Sequence, residues 1–159
     1  MQRALYLATA VLLLDQLSKW VIATMVMQPP RTIEITGFFN LVLTYNPGVS
    51  FGLFQSDSYW QPYFLVALNV VVSIGLLIWL YRELEGLLPY GVGLVVGGAL
   101  GNAVDRLHLP GVMDFLDFYF AGWHWPAFNV ADSAIVCGVV LIIADGLFQP
   151  GRKGKKARG

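Results

Sequence analysis

Four long apolar runs decide what this chain can become. Residues 4–27, 63–81, 87–104 and 130–148 each come close to the ~20 residues that an α-helix needs to cross hydrocarbon, and the connections between them leave no room for a separate soluble domain. A chain of 159 residues has too small an interior to hide all four runs from water. The composition agrees, with 57% hydrophobic residues, 13% charged residues and a mean hydropathy of +0.63, far from the average soluble domain. The expected fold is a mainly α membrane protein, with four transmembrane helices in one integral membrane domain over residues 1–159. A secretory signal is the rival reading of the first run, because Arg3 precedes it. Asp15, Gln16, Ser18 and Lys19 interrupt that run, however, and no good cleavage site follows, so a retained helix is expected.

An even number of spans puts both termini on one side of the membrane. Arg3, Arg82 and the tail GRKGKKARG at residues 151–159, with five cations and no acid, fall on one face, whereas the connection at 28–62 carries only Arg31. Cationic loops stay in the cytoplasm, so both termini are expected there and residues 28–62 and 106–127 are expected outside. The tail suits an anionic membrane face better than nucleic acid. Trp60, Trp79, Trp123 and Trp125 fall near the expected helix ends, where interfacial anchors sit. The lone Cys137 lies within an apolar run, excludes a disulfide framework, and reads as a small helix-packing residue.

The first outward connection has a pattern of its own. In TIEITGFFNLVLTY, residues 32–45, Ile33 and Ile35 before Gly37, and Phe39, Leu41, Leu43 and Tyr45 after it, alternate with other residues. That is a strand signal, and Asn46-Pro47-Gly48 is a turn. A small amphipathic β-sheet on the outer membrane surface is expected.

Polar residues in or beside the spans need a reason to be there. Asp15 and Lys19 in DQLSK stand one helical turn apart in the favourable acid-first order, and a structural ion pair explains them. Gly93, Gly97 and Gly101 recur every four residues and leave a smooth stripe for close approach of another helix. Asn102, Asp105 and Arg106 end the third run, where a surface ion pair is the plain explanation. Asp114 and Asp117 fall in the second outward connection. Asp132 lies three residues after Asn129, the arrangement of a capping-box acid behind an N-cap residue, and capping alone accounts for it.

Taken in order, DQLSK, YNPGVSFG, GGALGNAVDRL, VMDF and FNVADSAI resemble the lipoprotein signal peptidase (signal peptidase II) family over nearly the full length of the chain. No block departs from the family's pattern. The resemblance implies a bacterial inner-membrane aspartyl protease that removes the signal peptide of diacylglyceryl-modified prolipoproteins just before the lipidated cysteine. It implies Asp114 and Asp132 as the catalytic pair, with Asn46, Asn102, Arg106 and Asn129 around the active site and Asp15, Lys19 and Asp105 as further polar support. It also implies contact with membrane lipids, inhibition by globomycin-like cyclic peptides, and neither cofactor nor nucleic acid.

The chemistry is consistent with two aspartates. Amide hydrolysis needs an activated water and a polarised carbonyl, and a close carboxyl pair sharing one proton supplies both. The helix start favours charge on Asp132 and points to it as the base, but the shared proton can move between the two and the sequence does not settle which aspartate holds it. Neither His108 nor His124 has a nucleophile motif around it, and no spacing suits zinc. Phe51, Phe54, Trp123 and Phe128 are candidates for apolar contact with lipid or peptide. Two other functions fit membrane carboxylates in general, a small proton or ion transporter and a noncatalytic assembly subunit. A transporter spreads its polar groups through the membrane depth, often in two repeats, whereas here they gather toward one side.

Overall fold

Four helices run up and down, and an antiparallel sheet closes one end of the bundle. In the computed structural model, which describes residues 1–48, 59–82 and 86–148, the order is α1 (Gln2–Val21), β1 (Ile33–Thr36), β2 (Phe39–Asn46), α2 (Gln61–Arg82), α3 (Leu88–His108), β3 (Val112–Phe120), β4 (Trp123–His124) and α4 (Val130–Phe148). The basic tail, Phe54 and the whole VSFG half of YNPGVSFG, with Phe51, lie outside the described residues. A π-helical turn, Ile22–Val26, continues α1. Arg3 reaches Tyr90 at the start of α3, and Asp145 near the end of α4 accepts from the Leu87 N–H. The end remote from the sheet therefore carries the starts of α1 and α3 and the end of α4.

Three of the helical stretches, Gln2–Val26, Gln61–Arg82 and Val130–Phe148, are long and apolar enough to cross a membrane, and only 22%, 17% and 17% of their apolar windows are buried. The rest of each window is a surface suited to lipid. α3 is not among the three by composition. It runs one turn beyond the expected 87–104, takes Asp105 and Arg106 into the helix, and packs against all three other helices.

Small residues allow that central position. α1 buries Ala4, Ala8, Val11, Asp15 and Lys19, one stripe at helical spacing, and the expected glycines of α3 lie against it. A Cβ on Gly97 would come within 2.6 Å of the Ala8 carbonyl oxygen and 2.8 Å of Val11 Cβ. The other face of α3 meets α4, where Gly138 sits against Gly91 and Val95, a second close approach that the sequence did not reveal. Cys137 is exposed rather than packed between helices. Its neighbour Gly138 takes the buried position, because one residue along a helix turns the side chain by roughly 100°.

The sheet has the order β1-β2-β3-β4. β1 and β2 fall in the expected strand segment and pair antiparallel as a hairpin about Gly37. β3 was expected as part of an outward loop; in the structure Val112–Phe120 is the longest strand, paired with β2 from Asn46↔Val112 to Phe39↔Phe118 across a bulge between Leu41 and Thr44. Met113 and Phe115 pack with Ile22 and Met27, which seats the sheet on the π-helical end of α1. Asp114 lies between those two positions and so emerges on the opposite face, since side chains alternate along a strand.

The α1–α3 contact yields a test. Gly97→Ala should lower the thermal unfolding midpoint in detergent, at a cost of about 1–3 kcal/mol. Gly75→Ala on α2, where nothing lies within 4 Å, should leave the midpoint unchanged or raise it. Equal midpoints for the two variants would show that the helices can separate freely.

Candidate active site

The start of α4 brings the polar residues together. Asn129 Oδ1 accepts from the Asp132 N–H at 2.9 Å, and Asp132 Oδ2 accepts from the Asn129 N–H at 3.2 Å, which is the reciprocal geometry of a capping box. The first helical N–H groups have no partner within the helix, and Asp15 on α1 supplies one more, its Oδ1 accepting from Ala131 N at 2.9 Å. With its oxygen committed to Asp132 N, the Asn129 amide must turn Nδ2 the other way. Nδ2 donates to Asp114 Oδ1 at 2.7 Å, with the Met113 carbonyl at 3.2 Å and Asn102 Oδ1 at 3.3 Å as weaker acceptors. One fully buried asparagine thus holds both aspartates, one through its main chain and side-chain oxygen and the other through its side-chain nitrogen.

Backbone pairing sets the register of this arrangement. Phe128 N donates to the Leu116 carbonyl at 3.0 Å, and the Phe128 carbonyl accepts from Phe115 N and Leu116 N at 3.1 and 2.9 Å. The segment entering α4 is therefore fastened to β3 immediately before Asn129. A one-residue slip would carry Asp114 to the other face of the strand.

Behind the aspartates lies a buried ion cluster. Lys19 Nζ is 2.7 Å from Asp15 Oδ2 and 2.7 Å from Asp105 Oδ2, and the three side chains are almost wholly buried. Asp105 Oδ2 also accepts from Met113 N at 3.0 Å, and Gln16 Nε2 donates to Asp105 Oδ1 at 2.9 Å. The expected Asp15–Lys19 pair is present, but Asp105 belongs to it and not to a surface pair with Arg106. Arg106 instead donates to two carbonyls, of Asn102 at 3.2 Å and of Gly48 at 2.8 Å. Asn102 joins the groups, donating from Nδ2 to Asp132 Oδ1 at 2.8 Å and accepting from Lys19 at 3.4 Å.

Asn46, Asn69, Asn102, Arg106, Val112, Asp114, Asp132, Ile135 and Val136 line a cavity of about 210 Å³. A more apolar groove of about 390 Å³ adjoins it through Asn46, Asp132 and Val136, and runs between α4 and Trp125, Pro126 and Phe128. Asn46 lines both, its side chain closing a turn by accepting from Gly48 N at 3.1 Å. Both Asp132 oxygens accept hydrogen bonds, which favour the charged form, whereas Asp114 accepts one, on Oδ1. Burial, and after it the charge of Asp132, pushes the Asp114 carboxyl up to about 7. Four carboxylates, Asp15, Asp105, Asp114 and Asp132, share this region with two cations, Lys19 and Arg106, so a proton retained on the Asp114–Asp132 pair reduces an excess of negative charge. A carboxylate beside a carboxylic acid at a polar cavity can activate water and polarise a carbonyl.

Of the nine residues that the resemblance implied, Asp15, Lys19, Asn102, Asp105, Asp114, Asn129 and Asp132 are joined by side-chain hydrogen bonds and ion pairs, and Asn46 and Arg106 line the same cavity. The sequence reading missed Gln16, although it stands in the DQLSK block, and Asn69, a lone amide inside an apolar helix. Asp117 lies away from the pair, held by Asn40 Nδ2 at 2.9 Å and by His124 Nδ1 at 2.9 Å. His108 is exposed, its Nδ1 beside the Val104 carbonyl at 3.0 Å. Trp123 is exposed on β4, and Phe128 stacks on Phe118 with ring centroids 5.9 Å apart.

Comparison with known proteins gives a consistent picture. The family model described as signal peptidase (SPase) II matches residues 7–148. A lipoprotein signal peptidase of Coxiella burnetii (strain Dugway 5J108-111) is 43% identical over 151 residues, covering 94% of this chain and 92% of the relative. One of Cupriavidus taiwanensis is 47% identical over 141 residues, covering 88% and 80%. Among solved structures, a bacterial membrane enzyme determined by the in meso method at 2.3 Å resolution superposes with a TM-score of 0.82 at 28% identity, covering 96% of this chain and 92% of that one.

The raised Asp114 carboxyl makes stability depend on pH in a stated direction. The folded protein holds this proton up to about 7, whereas the unfolded chain releases it near ~4, so folding binds a proton between those values and stability falls as pH rises through the window. Asp114→Asn has no such proton. Relative to that variant, the unfolding midpoint of the wild type should fall from pH ~4 to ~7 and then level off. A pH-independent difference between the two would contradict a buried, proton-holding Asp114.

Proposed function

Since the chain belongs to the signal peptidase II family, it is a membrane protease that removes the signal peptide from prolipoproteins, and we propose that it does so as an aspartic endopeptidase whose paired carboxylates are Asp114 and Asp132. The observation that carries the assignment is the Asn129 bridge, which gives each aspartate a different hydrogen-bond environment at one cavity. Asp132, with both oxygens hydrogen-bonded, is the base; Asp114, with its carboxyl pushed up to about 7, holds the proton.

In the reaction proposed, a water between the two gives a proton to Asp132 as its oxygen bonds to the scissile carbonyl carbon. The proton of Asp114 passes to the carbonyl oxygen, and a neutral gem-diol forms. Its collapse breaks the C–N bond. The departing nitrogen takes the proton from Asp132, a diol hydroxyl returns one to Asp114, and the pair is restored. Asn102 and Asn129 hold the carboxylates in place. Arg106 fixes the neighbouring turn through Gly48. Asn46 borders the substrate at the junction of cavity and groove. Asp15, Lys19 and Asp105 position the elements that carry the aspartates.

The substrate in this reading is a diacylglyceryl-modified prolipoprotein cut just before its lipidated cysteine, and globomycin-like cyclic peptides compete for the site. The apolar groove beside the polar cavity offers surface for acyl chains and membrane lipids. The chain crosses the bacterial inner membrane four times, with α3 as the fourth span, both termini cytoplasmic and the sheet outside. Arg3 and Arg82, at the end of the bundle remote from the sheet, support that orientation.

Asp114→Asn and Asp132→Asn should each reduce processing of a lipidated precursor by at least about a hundredfold, with the double variant little worse than either single change because the pair acts as a unit. If capping were the whole role of Asp132, Asn would cost at most about 1–2 kcal/mol of stability and spare turnover. Processing in detergent, read beside thermal unfolding of each variant, separates the cases. Near-wild-type turnover by either folded variant would sink the pair.

A further inference from the structure

α2 is the most apolar of the three stretches suited to cross the membrane, yet Asn69 stands in the middle of it. An amide in such surroundings is costly unless its donors and acceptors are used. Asn69 Nδ2 donates to the Ala99 carbonyl of α3 at 3.1 Å. A carbonyl can only accept, so the amide's orientation is fixed: one N–H is engaged, while the second N–H and Oδ1 bond no other protein group among the described residues. α2 buries Leu65, Ser73 and Leu80, whereas Asn69 is half-buried and lines the cavity that Asp114 and Asp132 share. The unused amide atoms are therefore available to whatever fills that cavity. Ala99 precedes Asn102 by about one turn of α3, so Asn69 lies ~5 Å further from the sheet than the Asn102–Asp132 hydrogen bond.

That depth has a chemical meaning for the substrate. A scissile bond must be extended to be cut, and the residues just before it leave the signal-peptide helix while still below the membrane surface. Each main-chain group released there without a partner costs several kcal/mol. We propose that Asn69 is a substrate-binding residue whose free carboxamide edge pairs with the main-chain N–H and carbonyl of one extended residue of the signal peptide, on the membrane side of the scissile bond. The free acceptor and donor of Asn69 complement the N–H and carbonyl of such a residue, which point to the same side of an extended chain. The proposal rests on the reaction described above and adds a recognition element to it.

The test measures kcat and KM for a diacylglyceryl-modified precursor with the wild type, Asn69→Leu and Asn69→Ala, beside thermal unfolding of each. A precursor series replaces successive signal-peptide N–H groups with ester oxygens. The expected result is a roughly tenfold rise in KM for both variants, the scale of one hydrogen bond, with kcat and unfolding nearly unchanged. One ester position should cost the wild type a similar factor and cost the variants nothing further. Unchanged kcat/KM in both variants, ester penalties equal in wild type and variants, or a loss that follows lowered stability would each overturn the proposal. If Asn69→Leu does not fold, Asn69→Ala, which adds no bulk, carries the measurement. Asp132→Asn run in parallel keeps the two readings apart: its full activity would refute the carboxylate pair, whereas its inactivity beside unaffected Asn69 variants would refute this proposal alone.

Discussion

An ammonium buried between two carboxylates sets the position of nearly everything around it. Ions removed from water cost several kcal/mol each, repaid only when geometry and the remaining hydrogen bonds are good. Here Lys19 meets Asp15 and Asp105 at 2.7 Å each, and both acids use further lone pairs on main-chain N–H groups, Asp15 at Ala131 and Asp105 at Met113. Those two groups stand one residue before Asp132 and Asp114. A single charge cluster between α1 and α3 thereby anchors the start of α4 and the start of β3 together. The glycine stripe makes this possible, since a Cβ on Gly101 would fall 2.7 Å from Asp15 Oδ2. Small side chains permit the close helix contact, the contact permits the ion cluster, and the cluster fixes the elements that carry the proposed pair.

Capping and the proposed catalytic role, which the sequence set up as competing reasons for Asp132, call for the same geometry. The capping bond to Asn129 N and the bond from Asn102 occupy both oxygens of Asp132, and a helix start favours a negative charge there. Asp114, on a strand, has no helix start behind it and, among the described residues, one side-chain donor, Asn129. Two identical side chains are made unlike by the backbone elements beneath them. In the proposed pair, the difference favours the proton on Asp114.

What the sequence revealed were features set by local spacing: the apolar runs, the Asn129–Asp132 cap, the Asp15–Lys19 turn and the four-residue glycine repeat. The β1–β2 hairpin was legible for the same reason, because its apolar residues alternate. β3 was not, since Asp114 and Asp117 lie on opposite faces of the strand and interrupt the alternation on both. Arg106 looked like the partner of its neighbour Asp105, but Lys19, distant in sequence, takes that acid, and nothing local announces such a competition. Cys137 was placed one residue off the helix contact because a helix apolar all round does not declare which face is inside. Asn69 gave no signal for a related reason: its use depends on a cavity built by other elements. The five motif blocks recovered the polar network because they carry the outcome of those distant contacts in residue identity.

Peptide hydrolysis beside a membrane needs two solvents at one point, water for the nucleophile and an apolar surface for the anchored substrate. The cavity of about 210 Å³ has room for several waters, and its polar wall is made of asparagines, Arg106 and the two aspartates. Across Asn46, Asp132 and Val136 it joins the larger groove of Trp125, Pro126, Phe128 and Cys137, whose residues can meet hydrocarbon without cost. A site made of helices alone would hold both carboxylates in apolar spans, while a site on the sheet alone would lose contact with the bilayer. In the proposed topology, drawing one aspartate from the strand and the other from the first turn of a membrane-suited helix puts the pair at the boundary. The backbone bonds of Phe128 to Leu116 are what keep the two halves in register there.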